Sequence, residues 1–190
     1  MNLRFRRSGL DFSRRRRKVN KTLAKEVGTW IGEIAIAVLF ALVLVYFVGY
    51  RADVVGPSML GTLAEGDEVL VNRFVYKLTQ PKTNDIVVFF PNGNEKSHLY
   101  IKRVIGVPGD TVQITEGILY VNGVPQPTPD GFSLMEDAGN AAAPLTLAPG
   151  EYFVLGDNRN HSIDSRFAEV GIIPAASIAG KVITGRTPFR

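Results

Sequence analysis

Apolar and polar positions follow one pattern up to Tyr50 and another after it. The 17 residues that end at Tyr50 carry no charge, and the apolar stretch before them contains one acid, Glu33. About 20 apolar residues span a bilayer, and Trp30 and Tyr50 stand where interfacial aromatic residues are enriched. The pattern predicts a transmembrane anchor over residues 27–50.

A buried core helix and a cleaved signal peptide are the two alternatives for this segment. Core helices are usually amphipathic, whereas this run is apolar on every face. A signal peptide has a shorter basic region and a small-residue cleavage site, and the sequence "VGYRAD" at 48–53 is a poor one. We therefore expect an uncleaved anchor.

After Tyr50 the pattern changes to short β-rich runs separated by glycine and proline turn signals. We predict strands at 68–74, 85–90, 98–105, 111–114, 118–121, 151–156 and 178–185. No helical period appears in this region. The expected fold is mainly β, an antiparallel β-sandwich or folded barrel over residues 51–190, with an irregular excursion at about 125–149.

Charge is distributed unevenly along the chain. Residues 1–25 hold ten Lys/Arg and one acid, whereas residues 51–190 hold 12 basic and 15 acidic residues, a net charge of −3. Clustered Lys/Arg stay on the cytoplasmic side of a membrane, so we expect 1–26 to be a cytoplasmic tail and the β domain to lie across the membrane. Beside an anchor, anionic lipid is a more economical partner for this tail than nucleic acid.

Three polar clusters are candidates for chemistry: "GPSMLGTLAEGD" at 56–67, "YIKRVIGVPGD" at 100–110 and "GDNRNHSIDSR" at 156–166. The absence of cysteine excludes disulfides and thiolate catalysis. The arginines interspersed in the third cluster do not fit a calcium loop, which needs carboxylates at alternate positions. No metal or cofactor is expected.

Ser58 and Lys102 are the candidate nucleophile and base. A serine hydroxyl is a weak nucleophile until a neighbour removes its proton, and a lysine can do so if burial lowers its pKa. Tyr100 and Val104 share a strand face with Lys102 and would bury it. Plainer explanations are a turn serine and an edge-strand lysine, and His98 and His161 are alternative bases.

The three clusters and the strands between them resemble the signature boxes of bacterial type I signal peptidases, which are membrane-anchored Ser-Lys endopeptidases. "PSMLGTL" is similar to the family's Pro-Ser-Met-x-Pro-Thr-Leu, "GDEVLVNRFVY" and "NDIVVFFP" to its strand boxes, and "YIKRVIGVPGD" to its lysine box. "GDNRNHSIDSR" resembles the last box at every signature position. The likeness extends from the anchor to about Gly180.

The resemblance implies that Ser58 attacks the scissile carbonyl, that neutral Lys102 takes its proton and that Ser162 orients the lysine amine. The backbone N–H of Ser58 would bind the oxyanion. The remaining residues of the last box would hold the loop in place: Asp157, Asn158, Arg159, Asp164 and Arg166. Val54 and Ile101 are candidate walls of a pocket for small side chains, although core packing explains them equally well.

Two positions depart from the family pattern. Gly61 replaces the usual proline, so we expect a less rigid loop after the nucleophile. Gly56 stands where some members carry a serine or threonine that completes the oxyanion hole, so a second donor here has to be backbone or water, or is absent.

The implied substrates are the signal peptides of exported preproteins, cleaved after small residues in Ala-x-Ala sites, close to the export translocon and the lipid surface. The implied location is the bacterial cytoplasmic membrane, with one span and the N-terminus inside. The main alternative is a membrane-tethered, non-catalytic β domain that binds exported proteins. The anchor argues against soluble self-cleaving Ser-Lys repressors, and a Ser-His hydrolase would depend on His161.

Overall fold

The computed structural model describes residues 21–93, 98–128 and 131–184. The chain divides into two units, residues 1–43 and 44–190. The first helix, α1, spans Lys21–Val48 and ends just before Gly49, a poor helix former. Within the described residues, α1 is the one helix long and apolar enough to cross a membrane, over Lys25–Val43.

The boundaries of α1 differ from those of the predicted anchor. The helix begins before residue 27, and it stops before Tyr50, which belongs to the first strand. The uncharged stretch that ends at Tyr50 therefore contains both the end of a helix and the start of a strand, and the two could not be separated in the sequence because both are apolar. Of the predicted basic tail, residues 1–20 lie outside the described residues.

The second unit is built from strands joined by short turns. The described strands are β1 (Gly49–Asp53), β2 (Glu68–Asn72), β3 (Ile86–Phe89), β4 (Tyr100–Gly106), β5 (Thr111–Thr115), β6 (Ile118–Val121), β7 (Val124–Pro125), β8 (Leu145–Thr146), β9 (Glu151–Leu155), β10 (Ile173–Pro174) and β11 (Ile178–Thr184). One short helix, α2 (Val75–Leu78), lies between β2 and β3.

The strands form two antiparallel sheets. The larger has the order β1-β2-β11-β3-β4-β9-β10, and the smaller has the order β7-β6-β5-β8. This confirms the mainly β class with antiparallel sheets. The larger sheet is open, with β1 and β10 at its edges, so the described strands do not close into a barrel.

All seven predicted strands are present with boundaries within two residues of the prediction, except that Gly185 lies outside the described residues. The pattern missed β1, which continued the apolar run, and three two-residue strands, β7, β8 and β10. It also missed α2, because a single turn is too short to display a helical period.

A buried core joins the two sheets. Ile105 of β4 and Phe153 and Leu155 of β9 pack with residues of β5 and β6. The irregular segment at about 125–149 also contributes three side chains, Met135, Ala141 and Leu147. This segment has little regular structure, as expected, but it packs into the core.

We predict that Leu147→Ala lowers the free energy of unfolding by about 2–5 kcal/mol, because it removes a buried side chain and leaves a cavity in the core between the sheets. Leu134→Ala is the matched control, since Leu134 is 51% exposed and Leu147 only 2%. Its effect should stay within about 0.5 kcal/mol. Chemical denaturation of both variants measures the difference, and equal effects would contradict this account of the core.

Candidate active site

Ser58 lies in a single helical turn, Pro57–Met59, between β1 and β2. Met59 is buried and anchors the turn in a core that also contains Leu63. Two backbone hydrogen bonds close the base of the loop: Val54 N–H donates to Asp67 O at 2.9 Å, and Gly66 N–H donates to Val54 O at 2.9 Å. The half-buried Ser58 is therefore held on a short, fixed turn.

Lys102 reaches Ser58 from the middle of β4. Its Nζ lies 2.7 Å from Ser58 Oγ, a hydrogen-bond distance. Lys102 is paired with Val87 of β3 in the sheet register, and its Nζ lies 5.5 Å from the centroid of the Tyr100 ring. The lysine identified in the sequence is thus brought to the serine identified in the sequence, 44 residues away.

Burial determines the protonation of Lys102. The residue is 5% exposed, and desolvation of the ammonium lowers the pKa of Lys102 to about 8, although the charges of Asp164 and Asp157 act in the opposite direction. A substantial fraction of the amine is therefore neutral near pH 8 and able to accept the proton of the neighbouring hydroxyl.

The loop after β9 contacts the backbone of the serine turn. Asn158 N–H donates to Ser58 O at 3.0 Å, and Asn158 Nδ2 donates to Pro57 O at 3.2 Å. A Cβ on Gly156 would meet Ser162 Oγ and would lie 2.5 Å from Ser58 O. Only glycine permits this close approach of the two loops.

Asp157 connects three segments of the site. Arg103 donates to it with Nε and Nη2, each at 2.7 Å, and Thr62 Oγ1 donates at 2.6 Å. Burial opposes ionisation of this carboxyl, but the hydrogen bonds from Arg103 and Thr62 outweigh it and hold the pKa of Asp157 below its usual value. These hydrogen bonds connect Arg103 of β4, through Asp157 and Thr62, to the loop that follows Ser58.

Asp164 and Arg166 form a second ion pair that is fully buried. Arg166 Nε donates to Asp164 Oδ1 at 2.8 Å, and Nη2 donates to Oδ2 at 3.0 Å. Asp164 Oδ2 also accepts the Gly156 N–H at 3.1 Å. Arg166 further donates to the backbone carbonyls of Asp137 and Arg159. The ion pair therefore holds the loop through contacts with the loop's backbone.

Two side chains of the last cluster, those of Ser162 and Arg159, contain buried polar atoms without a hydrogen-bond partner among the described residues. Ser162 Oγ is buried and makes no hydrogen bond with a described residue, and a Cβ on Gly156 would meet this hydroxyl. Its predicted bond to Lys102 stays a prediction. The resemblance implied that Arg159 helps to hold the loop in place. It does so through its carbonyl, because its guanidinium makes no hydrogen bond or ion pair with a described residue.

Ser58 and Lys102 line a groove of about 660 Å³ bounded by β1, the serine turn, β4 and the segment before it. Val54 and Ile101 both line this groove and both belong to a buried core. The two histidines lie on its rim and are exposed. Lys102, and not His161, is within hydrogen-bond distance of Ser58 Oγ.

The conformations of Gly56 and Gly61 explain their identities. Gly56 has φ 79° and ψ 171°, a region that only glycine occupies readily. Gly61 has φ 100°, and a Cβ there would lie 3.0 Å from the Phe132 ring. Proline fixes φ near −65°, so this loop follows a path that the family's usual proline does not allow.

Sequence reasoning missed Arg103 and Thr62 as residues of the site. Arg103 follows the candidate lysine directly, and its side chain points to the opposite face of the strand, so it did not appear related to the serine. No signal in the sequence pairs Asp157 of the third cluster with Arg103, since that cluster contains two arginines of its own. Among the residues that the structure describes, no group of three or more His, Asp or Glu side chains could hold a metal ion.

Comparisons with known proteins identify the relatives of this chain. A family model described as signal peptidase, peptidase S26, matches residues 27–185, which include all three polar clusters. Signal peptidase I T of Bacillus subtilis is 38% identical over 174 residues, covering 84% of this chain and 86% of that protein. Signal peptidase IB of Staphylococcus aureus strain COL is 37% identical over 182 residues, covering 88% and 93%.

A solved structure is also similar, a signal peptidase I from Enterococcus faecalis that is 33% identical. The match covers 56% of this chain and 98% of that one, with a TM-score of 0.42.

We predict that Gly61→Pro lowers both thermal stability and peptidase activity, even though proline is the usual family residue. The backbone at φ 100° cannot accept it, so the loop joined to Asp157 through Thr62 has to shift. Thermal unfolding and cleavage assays of this variant measure both effects. A variant as stable and active as the wild type would mean that the loop readily adopts the proline conformation.

Proposed function

The chain belongs to the signal peptidase family, peptidase S26, and from that premise we propose how its residues carry out signal-peptide cleavage. It is a serine endopeptidase whose family removes signal peptides. We propose that Ser58 is the nucleophile and Lys102 the general base. The observation that carries this proposal is the 2.7 Å contact between Lys102 Nζ and Ser58 Oγ.

Acylation begins with the neutral amine of Lys102. The amine accepts the proton of Ser58 Oγ as the oxygen attacks the scissile carbonyl carbon, and the resulting ammonium protonates the leaving amine of the mature protein. The signal peptide is left as an ester on Ser58. Neutral Lys102 then activates a water molecule that hydrolyses this ester and releases the signal peptide.

The oxyanion of each tetrahedral intermediate binds the backbone N–H of Ser58. This N–H lies in the first turn of a helical segment, where amides have no partner within the helix. Gly56 contributes no side chain, and its positive φ disfavours any replacement that would supply a hydroxyl. We propose that a second donor, where one acts, is backbone or water.

Ser162 keeps a positioning role in this proposal. Its buried hydroxyl has no described partner, and buried hydroxyls usually have one. We propose that it accepts a hydrogen bond from the Lys102 ammonium after proton transfer. The two ion pairs, Arg103 with Asp157 and Asp164 with Arg166, hold the loops on either side of Ser58, and Asn158 bonds directly to the serine turn.

The substrate is proposed to bind as an extended strand in the groove. Strand β1 is an edge strand, so its free backbone groups can pair with a peptide. Val54 and Ile101 would form the walls of shallow pockets that accept small residues, which fits cleavage at Ala-x-Ala sites. Both side chains line the groove beside Ser58.

We propose that α1 anchors the enzyme in the cytoplasmic membrane, with the basic tail inside and the β domain outside. The helix qualifies as a span over Lys25–Val43, and the ten Lys/Arg of residues 1–25 favour this direction. Ser58 follows α1 by only ten residues. The substrate's hydrophobic segment would reach the enzyme through the lipid bilayer, near the export translocon.

We predict that wild type and His161→Ala cleave a preprotein with an Ala-x-Ala site in detergent, whereas Ser58→Ala and Lys102→Met do not. Removal of the nucleophile or its base should lower kcat by at least about 10³-fold, because each acts in the transition state. Gel assays and mass spectrometry of the product measure the rate and the bond cleaved.

The other outcomes of this assay separate the alternatives. Substantial cleavage by Lys102→Met would mean that another group is the base, and loss of cleavage in His161→Ala would identify a Ser-His mechanism. A wild type that leaves several such substrates intact would instead support a tethered binding domain.

We predict that kcat/KM rises with pH and reaches half of its maximum near pH 8. The base acts when neutral, so activity is low below the pKa of about 8 in the free enzyme and grows as pH passes it. Initial rates at low substrate concentration, between about pH 5 and 10, give this profile. The activity of His161→Ala should rise over the same pH range as that of the wild type. A rise centred near the ordinary histidine pKa, about 6.5, would contradict a lysine base.

A further inference from the structure

A second cavity of about 560 Å³ is lined in part by Leu60, Gly61 and Thr62, which directly follow the serine turn. No residue that lines the groove lines this cavity as well. Leu60, Leu119 and Phe132 form apolar parts of its wall. Its polar lining includes Thr83 and Thr128 and the charged side chains of Arg103, Asp157 and Arg159.

Arg159 is the unusual member of this lining. The residue is only 6% exposed, yet its guanidinium makes no hydrogen bond or ion pair with any described residue. Its Nη1 is fully enclosed and has no acceptor. A buried charge without a partner is strongly destabilising, so an arginine with no partner among the described residues favours an anionic ligand at this position.

The neighbouring carboxylates are already occupied. Asp157 accepts two hydrogen bonds from Arg103, and Asp164 accepts two from Arg166. The local cluster therefore contains three arginines and two carboxylates, and the unmatched positive charge falls on Arg159. Burial lowers the pKa of Arg159, and the charges of Asp157 and Asp164 raise it without making a direct contact.

We propose that this cavity is an oxyanion-binding site for a phosphate group, with Arg159 as its principal ligand. A guanidinium presents donors in a planar fork that matches phosphate oxygens. Thr83 and Thr128 line the same cavity, and we propose that their hydroxyls add neutral donors. This site is separate from the proposed peptidase mechanism and does not depend on it.

The size and lining of the cavity leave room for a substituent on the phosphate. A free phosphate fills only part of about 560 Å³, and the apolar wall could contact an attached carbon chain. Inorganic phosphate and the headgroup of an anionic lipid share the chemistry that Arg159 recognises. The two sources are distinguished by experiment.

Occupation of this site should stabilise the catalytic loops. The cavity is lined by Leu60, Gly61 and Thr62, which follow the serine turn, and by Asp157, which Thr62 contacts. A ligand that binds only the folded state raises its stability. The measurable consequence is an increase in melting temperature.

The test uses the full chain in neutral detergent, unfolded thermally at constant ionic strength with sodium phosphate or sodium chloride. We expect phosphate to raise the wild-type Tm by about 2 °C or more at saturation. A parallel series replaces free phosphate with short-chain phosphatidylglycerol in the micelles. A rise with phosphate assigns the free ion, and a rise with the lipid alone assigns the headgroup.

Arg159→Met removes the charge while keeping a side chain that packs in a buried position. We expect it to abolish the ligand-dependent rise, and to be at least as stable as the wild type in chloride, because an unpaired buried charge is gone. Arg73→Met is the matched control, since Arg73 is exposed and lies outside this cavity. It should keep the full ligand-dependent rise.

A pair of substitutions at the exposed rim keeps the test valid if Arg159→Met fails to fold. Thr128→Glu should weaken phosphate binding and Thr128→Lys should strengthen it, by roughly tenfold each in Kd, a typical size for a short charge–phosphate contact. The proposal is overturned if neither ligand raises the wild-type Tm. It is also overturned if the rise survives in Arg159→Met, or if both Thr128 variants bind as the wild type does.

Discussion

The contact between the Lys102 amine and the Ser58 hydroxyl is the constraint on which the rest of this structure depends. An amine in water holds its proton at neutral pH, so the contact is useful for catalysis only where water is excluded. The β3–β4 pairing places Lys102 opposite Val87 and beside Tyr100, and burial lowers its pKa to about 8. The sheet thus supplies the dehydration that the proposed Ser-Lys chemistry requires.

The low pKa that this burial produces is opposed by the charged loop after β9, which contacts the serine turn. Asp157 and Asp164 lie near enough to raise the pKa of Lys102 and so favour its protonated form, which cannot act as the proposed base. Each carboxylate is, however, paired bidentately with an arginine, Arg103 or Arg166. Pairing offsets the negative charge while leaving the hydrogen bonds that fix the loops, so the burial of Lys102 remains the dominant effect.

The sequence predicted those parts of the molecule that depend on local pattern. Alternating apolar residues identified seven strands to within two residues. Ser58 and Lys102 were found as a hydroxyl and an amine within polar clusters, although a turn serine and an edge-strand lysine were plainer explanations. The sheet order, the Arg103–Asp157 pair and the start of β1 at Gly49 depend on contacts between distant residues. Periodicity carries no information on such contacts, so they became visible only in the structure.

The count of charges in the "GDNRNHSIDSR" cluster illustrates the same limit. In the sequence, the two aspartates and two arginines of this cluster are equal in number, so no excess charge is visible. In the structure Asp157 pairs outside the cluster with Arg103, and Asp164 pairs with Arg166. Arg159 is then left buried beside a cavity, without a directly paired counter-charge among the described residues. The excess charge arises from the tertiary pairing of Arg103, and the loop that fixes the nucleophile also creates a site for an anion.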